Sequence, residues 1–93
     1  MDKYINELGE LINKCQKKIN KKAFKAIKEY YGYGEFEVAL EGMIIELSQS
    51  KQYPEEFDPE EWKKIAIDFE LDRETVLDKD SWDYFLKWCN EYT

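Results

Sequence analysis

Apolar side chains recur along this chain at intervals of three and four, the spacing that gathers them on one face of an α-helix. Tyr4, Ile5, Leu8, Leu11, Ile12 and Cys15 form the first such stripe, flanked by Asn6, Glu7, Glu10 and Asn13. Gln16 to Lys22 is polar apart from Ile19 and reads as a turn or a solvated continuation. Phe24, Ile27, Tyr30 and Tyr31 make a second stripe, which stops at Gly32-Tyr33-Gly34. Two glycines within three residues mark a helix C-cap and a reversal of the chain.

Phe36, Ala39, Leu40, Met43, Ile44 and Leu47 form the third and most apolar stripe, with Glu35 and Glu37 placed to favour the positive end of the helix dipole. A connection from Ser48 to Glu56 follows, closed by Tyr53-Pro54, since the residue before proline is pushed out of helical geometry. Asp58-Pro59-Glu60-Glu61 then reads as the clearest helix start. Asp58 can cap, proline suits the first helical position, and Glu61 completes a capping box. Trp62, Ile65, Ala66 and Phe69 face inward from that helix. Leu71 to Lys79 is ambiguous, with at most a short helical turn around Arg73 to Val76. Asp80 can cap a last helix carrying Trp82, Phe85, Leu86 and Cys89. The pattern predicts an all-α fold, a compact bundle of about five short helices in one domain spanning residues 1–93, with no strand.

Composition supports a packed core, because 43% of the 93 residues are hydrophobic and 16% aromatic. The charge is divided. Up to Lys28 the chain carries a net +5; from Glu29 onward it carries −12. The overall −7 argues against direct binding of nucleic acid, whose phosphates it repels, and favours a basic protein partner. Nothing approaches the roughly 20 apolar residues of a membrane span. Met1 to Ile5 has no basic region running into an apolar one, so neither a secretory signal nor a membrane partner is expected. A cytoplasmic protein follows, with Cys15 and Cys89 as reduced thiols on helix faces.

Catalytic chemistry finds little material. With no histidine in the chain, the commonest general base and the commonest metal ligand are both missing. Gly32 and Gly34 lack the lysine and hydroxyl residue that complete a phosphate loop. Asp78, Asp80 and Asp83 fail as a calcium loop, because Trp82 and Asp83 fall where a ligand and the turn glycine belong. No enzyme, cofactor or metal site is expected.

What remains is surface. Tyr30, Tyr31 and Tyr33 crowd the glycine corner beside Glu29, Glu35, Glu37 and Glu41, a combination of rigid rings and carboxylates suited to a cationic protein. Tyr30 and Tyr31 fit equally well as the last core residues of their helix. Tyr84, Trp88 and Tyr92, four apart, form a second aromatic stripe on the last helix, either buried in the domain or exposed for docking, with burial preferred.

The run from Tyr30 to Glu41, Tyr-Tyr-Gly-Tyr-Gly-Glu-Phe-Glu-Val-Ala-Leu-Glu, resembles the core motif of the MafI-type and contact-dependent growth inhibition immunity proteins. There a helix ends at a glycine corner, a Gly-Glu-aromatic step opens a helix reading Ala-Leu-Glu, and a Tyr/Pro/acid loop leads to a fourth helix. The likeness covers roughly Ala23 to Phe69 and departs at Gly32-Tyr33, where an acidic or histidine residue often precedes the glycine step. It implies a protein that neutralises the C-terminal domain of a cognate secreted toxin, typically a nuclease; separately from the resemblance, a monomer is favoured over a dimer. On that reading Tyr31, Tyr33, Glu35, Glu37, Glu41, Asp58, Glu60 and Glu61 form an acidic surface that occludes a cationic active site. The rival from another class is a small helical adaptor unrelated to toxins.

Overall fold

The computed structural model describes residues 2–92, and among them five helices and no strand. These are α1 (Asp2–Lys14), α2 (Lys21–Gly32), α3 (Phe36–Ser50), α4 (Pro59–Asp68) and α5 (Ser81–Asn90). The all-α bundle expected from periodicity is therefore the fold. α3 lies at its centre and packs on α1, α2 and α5, with α4 closing the far side of α1. One core runs through all five helices, from Leu8 and Ile12 through Leu40, Met43 and Leu47 to Trp62, Phe69, Phe85 and Trp88.

α1 and α2 form an antiparallel hairpin. The turn after Cys15 joins them at one end, and at the other the Tyr31 hydroxyl donates to the Ile5 carbonyl at 2.9 Å. Asn20 starts α2 by accepting the Ala23 amide on its side chain at 2.8 Å. Gly9 makes the crossing possible. A β-carbon there would lie 2.7 Å from the Tyr31 hydroxyl oxygen and 3.1 Å from Cζ, so the ring could not stay where it is. Gly42, inside α3, is different: its β-carbon would meet Ile27 at 3.5 Å and Leu77 at 3.7 Å, both ordinary contacts. Gly9→Ala is thus expected to cost about 1–2 kcal/mol after its gain in helix propensity. Gly42→Ala is expected to stabilise by about 0.5–1 kcal/mol. Urea unfolding of the two variants checks the opposite signs.

Three helices end in the same way. After α2, Glu35 donates its amide to the Tyr30 carbonyl and Gly34 to Tyr31, with Gly34 at φ +81°. After α3, Gln52 reaches Leu47 and Lys51 reaches Ser48; after α4, Leu71 reaches Ala66 and Glu70 reaches Ile67. Each is a paired closing motif that needs one left-handed residue. Only α2 supplies a glycine there. Lys51 at φ 55° and Glu70 at φ 63° adopt the conformation at a steric cost. Lys51→Gly is accordingly expected to raise stability by about 1 kcal/mol, measured as a higher urea midpoint at unchanged slope.

α3 continues to Ser50, one turn past the last apolar residue of its stripe. Asp58 caps α4 as expected, but its side chain accepts the Glu60 amide rather than that of Glu61. The segment around Arg73 to Val76 forms no helical turn; residues 69–73 are turns and the chain then runs irregularly to α5. Asp80 sits at the N-cap of α5 without a capping side-chain bond, and its own amide donates to the Asp78 carboxylate at 2.9 Å.

Candidate functional site

The residues expected to form one acidic surface do not come together in one place. Tyr33, 82% exposed, stands at the glycine corner with exposed Glu35 and half-buried Glu37. Asp58, Glu60 and Glu61, all exposed, lie at the start of α4, where with Tyr4 and Glu7 of α1 they border an open groove of about 300 Å³ that also includes Lys64. Glu60 makes the one ion pair among the described residues, to Lys63 at 3.7 Å. The corner and the groove occupy opposite ends of α4, since the Phe36 ring packs against Phe69 at its far end.

Two residues are engaged within the fold. Tyr31 is half-buried, its hydroxyl fixed on α1 and its ring edge-on to Phe36 at 5.3 Å, and it packs against the core at the α1–α2 crossing. Glu41 corrects the sequence expectation more sharply, because it has no exposed surface at all. Its carboxylate faces the chain between α4 and α5. One oxygen accepts the Val76 amide at 2.8 Å and the Leu77 amide at 3.1 Å. The other accepts Leu77 again at 3.1 Å, the Asp78 amide at 2.9 Å and the Ser81 hydroxyl at 2.7 Å. Burial alone would push the Glu41 pKa up. The bonds from Val76, Leu77, Ser81 and Asp78 outweigh it and hold the carboxyl below its ordinary value, so it is anionic at neutral pH.

A buried carboxylate with four donors fixes three consecutive amides of an otherwise irregular loop. That loop holds two apolar side chains toward solvent, Val76 at 67% and Leu77 at 46% exposure. Asp72, Glu74 and Asp83 are exposed around it, and Asp78 and Asp80 are half-exposed. Their field is felt at Tyr84, exposed on α5, whose phenol is pushed up by Asp78 first, then by desolvation, Asp80 and Asp83. Here are two exposed apolar side chains on a Glu41-held loop whose neighbours are mostly acidic, with Arg73 and Lys79 exposed among them. Sequence reasoning missed it because the loop has no helical period. A signal existed in α3: a helix apolar on nearly every side is a buried helix, and an acid within it needs partners.

The aromatic stripe of α5 divides. Trp88 is buried, while Tyr84 and Tyr92 remain partly exposed at 38% and 41%. Trp88 stacks on Tyr53 at 5.0 Å and contacts Phe57 and Trp62, closing the connection after α3 onto α5. Burial pushes the Cys15 thiol up to about 12 against Lys14, and the Cys89 thiol up to about 11 against Lys63 and with Glu60, so both stay protonated and inert. Among the described residues, no three His, Cys, Asp or Glu side chains gather to hold a metal ion, and no helix is long and apolar enough to cross a membrane.

The fold and this surface define a five-helix, all-α bundle that anchors one mostly acidic loop on a buried glutamate. No family model matches the chain, and no curated protein or solved structure matches it either.

Proposed function

We propose that this chain is a non-catalytic immunity-type protein of the cytoplasm, which binds the C-terminal domain of a cognate secreted toxin and blocks its cationic active site. A basic nuclease is the favoured target. The observation that carries the reading is the loop held by Glu41. Its backbone is fixed before any partner arrives, so little ordering entropy is lost on binding, and it offers Val76 and Leu77 on a segment where five acids from Asp72 to Asp83 outnumber Arg73 and Lys79. Apolar contact supplies the anchor; the acids copy the charge of a phosphate substrate and speed association. Tyr33, Glu35 and Glu37 at the glycine corner, and Asp58, Glu60 and Glu61 beside the α4 groove, widen the acidic field. The resemblance of Tyr30 to Glu41 to the immunity motif agrees with this. Glu41 serves it from the inside, as the group that shapes the contact loop.

Co-expression with the product of the neighbouring upstream reading frame tests the proposal. Growth is expected to be rescued by the wild type, and the purified pair to bind at a rate that falls steeply with salt. Val76→Asp combined with Leu77→Asp should abolish rescue while leaving the fold intact. Absence of both rescue and binding by the wild type removes the immunity reading.

A further inference from the structure

Leu11 to Lys28 holds seven lysines and no acid, in a chain whose net charge is −7. The α1–α2 turn brings them to one corner. Lys14, Lys17 and Lys18 come from the end of α1 and the turn, Lys21, Lys22 and Lys25 from the start of α2, and all six are exposed. Among the described residues none of them is ion-paired. Glu46, whose carboxylate accepts from Asn20, and Glu55, beside Lys14, Lys17 and Lys18, border the corner; counting them against its six lysines leaves a net +4.

Stability does not explain this arrangement. Lys14 suits the negative end of α1, but Lys21 and Lys22 occupy the first turn of α2, the positive end of its dipole, where an acid would stabilise and none is present. The corner also holds an open groove of about 550 Å³ whose apolar floor is Ile19 and Phe24, walled by Lys17, Lys21 and Lys25. Lys28 lies over the other reach of the Phe24 ring, 5.9 Å from its centroid. Positive charge is thus concentrated around a small apolar surface at one end of the molecule.

We propose that this lysine corner is a docking surface for an anionic phospholipid membrane, on which the protein sits peripherally with its acidic end outward. Three features favour a lipid surface over nucleic acid. The cations are all lysines, with no guanidinium to fork onto phosphates or base edges. One half-buried aromatic is no platform for successive bases. A strand long enough to gain from seven charges would also run onto the acidic remainder. A membrane plane touches only the corner. Tyr33 and Glu35 lie at the opposite end of α2, about 18 Å away by helix rise, roughly twice the screening length at physiological salt. The whole-chain charge of −7 averages over two poles, a basic corner and an acidic remainder. This inference does not rest on toxin binding.

Co-sedimentation of the full chain with vesicles tests it. The protein is expected to bind vesicles of mixed phosphatidylserine and phosphatidylcholine at least about a hundredfold more strongly than phosphatidylcholine alone, and to be released by high salt. Lys17→Gln, Lys21→Gln and Lys25→Gln combined should weaken that binding by about a hundredfold, at about fivefold per lysine. Lys63→Gln with Lys79→Gln, away from the corner, should change it little. Equal binding to both vesicle types, an unaffected triple variant, or tighter binding to a single-stranded oligonucleotide than to the anionic vesicles would each overturn the proposal.

Discussion

Glu41→Ala is expected to lower the stability of this protein by about 4 kcal/mol, a large share of the roughly 5–15 kcal/mol that holds a domain of this size together. Alanine leaves the amides of Val76, Leu77 and Asp78 and the Ser81 hydroxyl without their acceptor, in a site with no solvent exposure at Glu41. Each stranded donor costs about 1–3 kcal/mol if it stays buried, and the loop will recover part of that by opening to water. Glu41→Gln keeps the shape but turns an amide group toward donors, so it should cost about 2 kcal/mol. The pH dependence has a definite sign. Glu41 has a depressed pKa in the folded state, so the unfolded chain takes up the proton first. Its stabilising contribution is complete above the ordinary carboxyl value of 4.5 and is lost as pH falls through the folded value. Urea unfolding from neutral pH into that range should therefore show the gap between wild type and Glu41→Gln closing on acidification. A gap that stays constant would mean that the carboxylate charge does not hold the loop. Amide exchange at Val76, Leu77 and Asp78 should accelerate more in either variant than exchange in α3.

Trp88→Ala is expected to cost a further 3–5 kcal/mol in its own right, or a fall in melting temperature of roughly 15 °C or more. The indole is 2% exposed and fills the space between α5, α4 and the connection after α3. It lies flat on Tyr53, with an interplanar angle of 2°, and 4.6 Å from the Phe57 centroid and 5.4 Å from that of Trp62. Two hydrogen bonds tie the same connection to α5. The Trp88 indole N–H donates to the Gln52 carbonyl at 2.8 Å, and the Tyr53 hydroxyl donates to the Trp88 carbonyl at 2.7 Å. Trp88→Phe separates packing from bonding, since it keeps a ring and removes one donor; a loss of about 1–2 kcal/mol is expected. Thermal unfolding followed by circular dichroism distinguishes the two variants. Equal losses would place the main contribution in the Gln52 bond rather than in the ring cluster.

Much of this architecture was legible in the order of residues. The i, i+3, i+4 spacing located five helices because burial of one face is a local demand, repeated every turn. Asp58-Pro59 marked the start of α4 and Gly34 the end of α2, because capping is decided by neighbours in sequence. The ends of α3 and α4 were harder to read, for Lys51 and Glu70 take a left-handed conformation that glycine usually signals. Tyr31, read as either core or contact, is claimed by Ile5 twenty-six residues earlier, across a gap that only Gly9 permits.

Residue order is enough to place the helices, their inward faces and the division of charge between a basic first third and an acidic remainder. Which acids face water depends on how the helices come together. Glu41 and Glu37 stand four apart on one helix, yet one is half-exposed and the other binds amides 35 to 37 residues away. Helical period records which side of a segment is apolar, whereas the fate of a lone carboxylate depends on which distant backbone arrives beside it. The rigid loop at Val76 and Leu77 follows from that same long-range meeting, as does the candidate contact surface it displays.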